Sequence, residues 1–277
     1  MKLNIFISGR MAKMDKYNGF CSKAKKNVRI ERDDMTDVKH STSDFMASKL
    51  QILIPSFSGV CYQSNFYVES YTDALACTLL ATELKPEITH AVIKRRAEFV
   101  AGRSLARHAL QQLGADDSVV DIDKHRAPVW PAGFVGSISH TDTLAVCAVA
   151  RCQDIERLGV DIEEYIADEM AYFVFASVVT EAERVLFDQY PLYRHALLTV
   201  IFSAKESLFK ALFPVVGHYF GFEVARLKEI NFSAGTLVME LTTDLMPELA
   251  VGRCFNGQFR LHDSYVFTMI MERAGAY

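Results

Sequence analysis

Two stretches of the chain repeat apolar residues at the spacing of an amphipathic helix. From Lys94 to Leu113, the residues Phe99, Ala106, Leu110 and Leu113 recur at intervals of seven, four and three, which draws one buried stripe. Gly114 is the natural stop. From Leu192 to Leu212, the residues Ala196, Leu197, Val200, Ala204, Leu208 and Leu212 mark a second long helix, expected to end before Pro214. Thr72-Asp73-Ala74-Leu75 opens a short helix, and Thr180-Glu181-Ala182-Glu183 has the form of a capping box that starts another. Elsewhere the pattern is that of strands. Val60 and Tyr62, then Phe66, Tyr67 and Val68, read as short strands, and Gly136 to His140 as a strand and its end. Leu144 to Ala150 is a continuous apolar run, hence a buried strand. Leu158 to Glu163 alternates, with Val160 and Ile162 on one face. The prolines of Arg126-Ala127-Pro128-Val129-Trp130-Pro131 forbid a helix and require an extended loop. From Glu223 to Met271 the alternation (Leu237, Met239, Leu241, then Tyr265, Phe267, Met269) is that of antiparallel strands.

Each half thus supplies one long helix and several strands in similar order. The expected fold is α+β, with two similar, pseudo-symmetric lobes, each a long helix packed on a small, mostly antiparallel sheet. The boundaries fall at a polar leader over 1–50, an N-terminal lobe over 51–157 and a C-terminal lobe over 158–277, joined near Arg151 to Leu158. No short-period repeat is present, which excludes a solenoid.

Composition narrows the function. With 277 residues, 50% of them apolar and 23% charged, the chain is an ordinary globular sequence rather than a disordered one. Its net charge of −4 divides into +5 over residues 1–50 and −9 over the remainder. A mildly acidic body argues against nucleic-acid binding, which needs a clustered basic face. The basic leader (Lys13, Lys16, Lys23, Lys25, Lys26) reads as a mobile, solvated tail. No stretch of roughly 18 residues is both uncharged and apolar enough for a membrane span. Leu3 to Ile7 is too short for the core of a signal peptide. The six cysteines form no CxxC pair, so they read as reduced thiols of a cytoplasmic protein. A monomer is expected.

Candidate chemistry follows from spacing. Asp161 and Glu163 lie two apart on a strand, so both carboxylates project to one side while Ile162 enters the core. Carboxylates held that close repel unless a cation lies between them, and Mg²⁺ with its preference for carboxylate and phosphate oxygens is one answer. A solvated acidic strand end is the other. Glu206 and Lys210, four apart on the second long helix, share a face, either in a site or as a surface ion pair. Arg95, Arg96 and Arg103 ride the first long helix. Arg96 and Arg103, seven apart, are nearly eclipsed, an arrangement that suits an anion lying over them or simply a solvated face. Ser139-His140 closes a strand without a GxSxG elbow, so a serine hydrolase finds little support. A hydroxyl, an imidazole and nearby amides can instead hold a phosphate.

Taken in order, these blocks resemble a known family. Lys94-Arg95-Arg96-Ala97-Glu98-Phe99-Val100-Ala101-Gly102-Arg103, Pro128-Val129-Trp130-Pro131, Val135 to His140, Gly159-Val160-Asp161-Ile162-Glu163 and Phe202 to Ala211 are similar to the 4′-phosphopantetheinyl transferases. Within them the likeness is to the enterobactin synthase component D branch of the two-lobed, Sfp-type enzymes. It covers roughly Gln51 to the C-terminus.

The resemblance implies an enzyme that moves the phosphopantetheine arm of coenzyme A onto a serine of an apo carrier protein (peptidyl, aryl or acyl), releasing 3′,5′-ADP. Siderophore or other nonribosomal peptide biosynthesis is the branch's usual setting. It implies Mg²⁺ held by Asp161, Glu163 and Glu206. It places Lys210 near the diphosphate, Ser139 and His140 on the nucleotide with His140 at the 3′-phosphate, and Arg95 and Arg103 on coenzyme A phosphates. A further basic residue before the Pro-x-Trp-Pro loop is either Lys124 or Arg126. The catalytic set is then Glu206, Lys210 and Asp161, with Glu206 taking the serine proton directly or through a metal-bound water. Phe209, Leu212 and Phe213 either meet the carrier or pack in the core. The alternative reading is a Mg²⁺-dependent phosphohydrolase acting on a nucleotide or on coenzyme A.

Overall fold

Reading along residues 41–275, which the computed structural model of the protein describes, the chain opens with helix α1 (Thr42–Phe45) and strands β1 (Leu50–Gln51) and β2 (Gly59–Asn65). Helices α2 (Asp73–Leu80), α3 (Pro86–Thr89) and α4 (Ile93–Gln112) follow, then strands β3 (Asp121–Ile122), β4 (Pro128–Val129), β5 (Phe134–His140), β6 (Leu144–Arg151) and β7 (Ile155–Glu164). Next come α5 (Asp168–Val178), α6 (Arg184–Gln189) and the long α7 (Arg194–Val216). Strands β8 (Ala225–Asn231), β9 (Thr236–Leu241), β10 (Cys254–Leu261) and β11 (Tyr265–Arg273) complete the chain. The leader lysines named above and Cys21 lie outside the described residues.

The strands form a four-stranded sheet in the order β1–β2–β6–β5, a five-stranded sheet in the order β7–β11–β10–β9–β8, and a small β3–β4 hairpin. Every pairing is antiparallel. Helix α4 covers the first sheet and α7 the second, which is the expected α+β plan of a long helix on each antiparallel sheet.

The run at Leu144–Ala150 is apolar throughout because β6 is buried on both faces up to Arg151. Ala145, Cys147 and Val149 enter a cluster beneath α4 with Val100, Leu105 and Leu110. Val146, Ala148 and Ala150 enter a second cluster with Leu158, Val160, Ile162, Phe267 and Met269. That middle cluster fuses the two sheets into one body. A third cluster lies under α7.

Three expectations are corrected at the level of elements. Val68 is in a 3₁₀ turn (Val68–Ser70), not a strand. Pro128 and Val129 are extended as expected, but they pair with Asp121 and Ile122 instead of forming a free loop. The second long helix runs through Pro214 and ends at Gly217, which has φ +72° and donates its amide to Phe213 O at 2.9 Å. A proline in the last turn forfeits one helical hydrogen bond, and a left-handed glycine supplies the real stop. Phe45 and Met46, inside the stretch read as the leader, are buried against Phe66 and Tyr71 in the α4 cluster.

The seam between β7 and α7 is tight. A Cβ on Gly159 would lie 1.8 Å from Ser207 O. The exchange Gly159→Ala is expected to force the helix off the strand at a cost of about 3 kcal/mol or more. Thermal unfolding should show the melting temperature falling by roughly 6–12 °C; an unchanged melting curve would refute this packing.

Candidate active site

Strand β7 presents Gly159 and Asp161 towards α7, with Glu163 two residues further along the same strand, while Val160 and Ile162 face the middle cluster. The alternation read from the sequence therefore holds. Asp161 is fully buried, and three side chains from two other elements satisfy it. Ser139 at the end of β5 donates to Oδ1 at 2.8 Å, and Ser203 of α7 donates to Oδ2 at 2.9 Å. Lys210 Nζ donates to Oδ1 at 2.7 Å and to Val160 O at 3.1 Å. A buried carboxylate is tolerated only with such partners.

Glu206 lies on α7 between Ser203 and Lys210, at the three- and four-residue spacing that shares one helical face, and is 1% exposed. It is no surface ion pair. Lys210 reaches Asp161 across the seam instead of only its helical neighbour. The face continues through Ser207, whose hydroxyl meets Thr268 Oγ1 at 2.7 Å, and Ser203 meets the same Oγ1 at 2.8 Å.

Ser139 gives its hydroxyl hydrogen to Asp161, which orients that carboxylate. Its neighbour Ser137 accepts Val160 N–H at 2.9 Å, which ties β5, the edge of the first sheet, to β7, the edge of the second.

His140 meets Arg95 (Nη1 to Nε2, 3.2 Å), and Glu98 Oε2 stands 3.3 Å from Arg95 Nη1 and 3.6 Å from His140 Nε2. Arg103 is separate from this group. Eight residues along α4 from Arg95, it lies about 12 Å further down the helix axis. It is 8% exposed, donates Nη2 to Asp121 O at 3.1 Å and stacks over Phe99, with its cation 4.9 Å from the ring centroid. Burial pulls its pKa down to about 10. It lines a pocket of about 120 Å³ together with Phe99, Arg107 and Lys85. Arg96 is taken by Asp73 at 2.5 Å, so the eclipsed Arg96–Arg103 pair does not form an anion site.

Lys124 and Arg126 are both exposed on the β3–β4 turn, Arg126 with φ +65°. Asp123 Oδ1 shapes that turn by accepting from the amides of His125 and Ala127 at 2.8 and 2.7 Å. His125 packs edge-on against Phe213, which joins the turn to the end of α7. Phe209, Leu212 and Phe213 are buried, so the core reading of these residues holds and they offer no docking surface.

Among the described residues no group of three His, Cys, Asp or Glu side chains forms a ready metal-holding cluster. What suits Mg²⁺ is the donor chemistry, with hard carboxylate oxygens on β7 facing a helix that carries another. A larger groove of about 690 Å³, lined by residues of α6 and of β8 to β11, touches none of these residues. Cys61, Cys77, Cys147, Cys152 and Cys254 are free thiols, as expected. No helix among the described residues is long and apolar enough to cross a membrane. Sequence reasoning passed over Ser203, Thr268 and Glu98. Ser203 and Glu98 sat inside motif blocks, three residues from Glu206 and Arg95, and that spacing was their only signal.

Residues 83–150 match the family profile described as the 4′-phosphopantetheinyl transferase N-terminal domain, and residues 157–268 match that of the 4′-phosphopantetheinyl transferase superfamily. Enterobactin synthase component D of Salmonella typhi is 38% identical over 138 residues, which cover 50% of this chain and 56% of that protein. The 4′-phosphopantetheinyl transferase PptT of Mycobacterium tuberculosis is 34% identical over 177 residues, covering 63% of this chain and 75% of its own. The 4′-phosphopantetheinyl transferase Svp of Streptomyces mobaraensis is 34% identical over 215 residues, covering 75% and 85%. The chain thus spans about half the length of the enterobactin synthase component D relatives but most of the other two. On these identities and spans, the protein belongs to the 4′-phosphopantetheinyl transferase family.

Proposed function

We propose that this protein transfers the 4′-phosphopantetheine group of coenzyme A to a serine hydroxyl of an apo carrier protein, leaving 3′,5′-ADP. The observation that carries the reading is the meeting of β5, β7 and α7 around Asp161, where Ser139, Ser203 and Lys210 converge and Glu206 stands on the same helical face. In the reaction the serine oxygen attacks the phosphorus that bears the pantetheine arm, and the bond from that phosphorus to the 5′-ADP oxygen breaks. The serine proton must leave as the new bond forms, and Glu206 is the buried base on the seam. Lys210, tethered to Asp161 and Val160 O, steadies the negative charge that grows on the departing phosphate. Arg95, beside His140 at one end of α4, and Arg103 further along it supply donors for the remaining phosphate charge, with Lys124 or Arg126 on the hairpin turn.

Asp161, Glu163 and Glu206 would hold Mg²⁺, which when bound neutralises diphosphate charge. In the arrangement seen here Asp161 is already satisfied, so its contacts with Lys210, Ser139 and Ser203 must rearrange to admit a cation. Treatment with EDTA is therefore expected to abolish transfer, and added Mg²⁺ to restore it. Activity surviving chelation would remove the metal from this scheme.

The partner is a small carrier domain of a nonribosomal peptide, fatty-acid or polyketide synthase, with siderophore assembly as the setting. The division into two lobes proposed here is supported by the Cys152–Asp154 turn, which separates β6 of the first sheet from β7 of the second. The decisive experiment mixes the protein, coenzyme A, Mg²⁺ and an apo peptidyl or aryl carrier and weighs the carrier by mass spectrometry. A gain of one phosphopantetheine arm is expected. Consumption of coenzyme A with no gain on any of several carriers would make the protein a phosphohydrolase.

A further inference from the structure

An acidic side chain stands where phosphate-binding groups gather. Glu98 is placed one turn after Arg95 on α4, and its side chain is only 12% exposed, against 34% for Arg95. Its Oε2 lies 3.3 Å from Arg95 Nη1 and 3.6 Å from His140 Nε2, and the same Nη1 is 3.2 Å from that imidazole nitrogen. His140 Nδ1 lies 3.2 Å from Thr141 O. A carbonyl oxygen only accepts, so Nδ1 carries the hydrogen and Nε2 is the atom turned towards Arg95 and Glu98.

Arginine binds a phosphate best through two parallel N–H groups along one edge of its planar fork. Glu98 and His140 both engage Nη1. Among the described residues the Nε and Nη2 groups of Arg95 make no hydrogen bond, so that edge is presented as a pair. A carboxylate this close to an anion site repels the anion. Its place is explained if it fixes the arginine, because a long, half-exposed side chain otherwise samples many rotamers before it binds.

We propose that Glu98 is a positioning residue: it pins Arg95 through Nη1, the same nitrogen that meets His140 Nε2, so that the Nε–Nη2 edge of Arg95 meets one phosphate of the bound substrate. This rests on the coenzyme A reading above. In that reading the diphosphate contains the bond that breaks and belongs with Lys210 and Asp161. The family resemblance implies the 3′-phosphate of the ribose for His140, and that is the phosphate assigned to the Arg95–His140 end.

The test compares Glu98→Ala and Glu98→Gln with the parent, using coenzyme A and 3′-dephospho-coenzyme A as substrates and a fixed apo carrier. Glu98→Ala is expected to raise KM for coenzyme A about tenfold, with kcat within about twofold, and to leave KM for the dephospho substrate nearly unchanged. Glu98→Gln keeps an oxygen acceptor for Arg95 and should recover most of the loss. In an Arg95→Ala background, Glu98→Ala should add nothing further, since its effect passes through that arginine. An equal rise in KM for both substrates would make Glu98 merely structural. A fall or no change in KM for coenzyme A would show that it acts only by repulsion, and either result overturns the proposal. Calorimetric binding of 3′,5′-ADP to the same variants reads the clamp without any transfer. If the parent modifies no carrier, the coenzyme A reading fails, while weaker binding of 3′,5′-ADP to Glu98→Ala still decides for or against the positioning role. Glu98→Gln and the Arg95→Ala pair keep the test open should Glu98→Ala fail to fold.

Discussion

Exchange of Glu206 for Gln is expected to slow carrier modification by about 10²–10⁴-fold, the range that a positioned general base contributes. The substitution is nearly isosteric. The side chain is 1% exposed and keeps one oxygen acceptor, so the helix that carries it should remain intact. Ser203 and Lys210, on either side of it, hold Asp161 independently of Glu206, and the seam should survive the change. Single-turnover transfer followed by carrier mass, read beside a melting curve, separates the two effects. A variant that melts like the parent and transfers within tenfold of its rate would show that the serine proton goes elsewhere. At saturating Mg²⁺, which offsets any weaker hold on the metal, the larger part of the loss should appear in kcat, because the serine proton leaves only as the new bond forms.

Truncation of Glu183 to Ala should be the most damaging single change to stability. Glu183 and Lys205 form an ion pair whose side chains are 0% and 2% exposed, with 2.8 Å between Oε2 and Nζ. Lys205 also donates to Val178 O at 2.7 Å. Glu183 takes the amide of Leu227 on Oε1 at 2.6 Å, and the amide and hydroxyl of Thr180 on Oε2, both at 2.7 Å. The capping box read from the sequence is thus present, and its acid also joins the turn before α6 to α7 and β8. Burial alone pushes the pKa of Lys205 below the usual lysine range, and the Glu183 carboxylate raises it again. Without that carboxylate an ammonium is left in the core with one carbonyl as partner. Breaking a buried pair on one side costs roughly 3–5 kcal/mol. For a chain of this size that is a fall in melting temperature on the order of 10 °C. Denaturant titration should show the midpoint falling with little change in slope. A loss below about 1 kcal/mol would mean that water reaches Lys205 readily, against the burial seen here.

Much of the architecture was readable because it rests on local periodicity. The stripe from Phe99 to Leu113 predicts α4, and the alternation at Leu158–Glu163 predicts both β7 and the common side of Asp161 and Glu163. The unbroken apolar run of β6 announced a strand with no solvent face. The errors lie where a local rule competes with a longer contact. Pro214 argues for a helix end, yet one lost hydrogen bond is a small cost in a helix whose flanking residues Phe213 and Leu212 are buried. Val68 has the composition of a strand, but its neighbours turn the chain into α2.

The site divides in the same way. Residue types and spacing within one element, such as Asp161 with Glu163 or Glu206 with Lys210, are properties of the chain itself, since a strand repeats every two residues and a helix every three to four. Which elements meet is decided by packing. Nothing in the spacing says that Lys210 turns to Asp161, that Ser139 donates to the same carboxylate from another sheet, or that Arg95 and Arg103 lie apart while Glu98 joins His140. Those contacts exist because the middle cluster of Cys61, Val146, Val160, Ile162 and Phe267 draws the β5 and β7 edges together, and because Gly159 lets α7 settle directly on the strand. Hydrophobic burial is non-directional and acts between segments remote in sequence. The amino-acid order therefore determined the elements and the chemical groups they carry, whereas the three-dimensional packing alone determined which of those groups face one another.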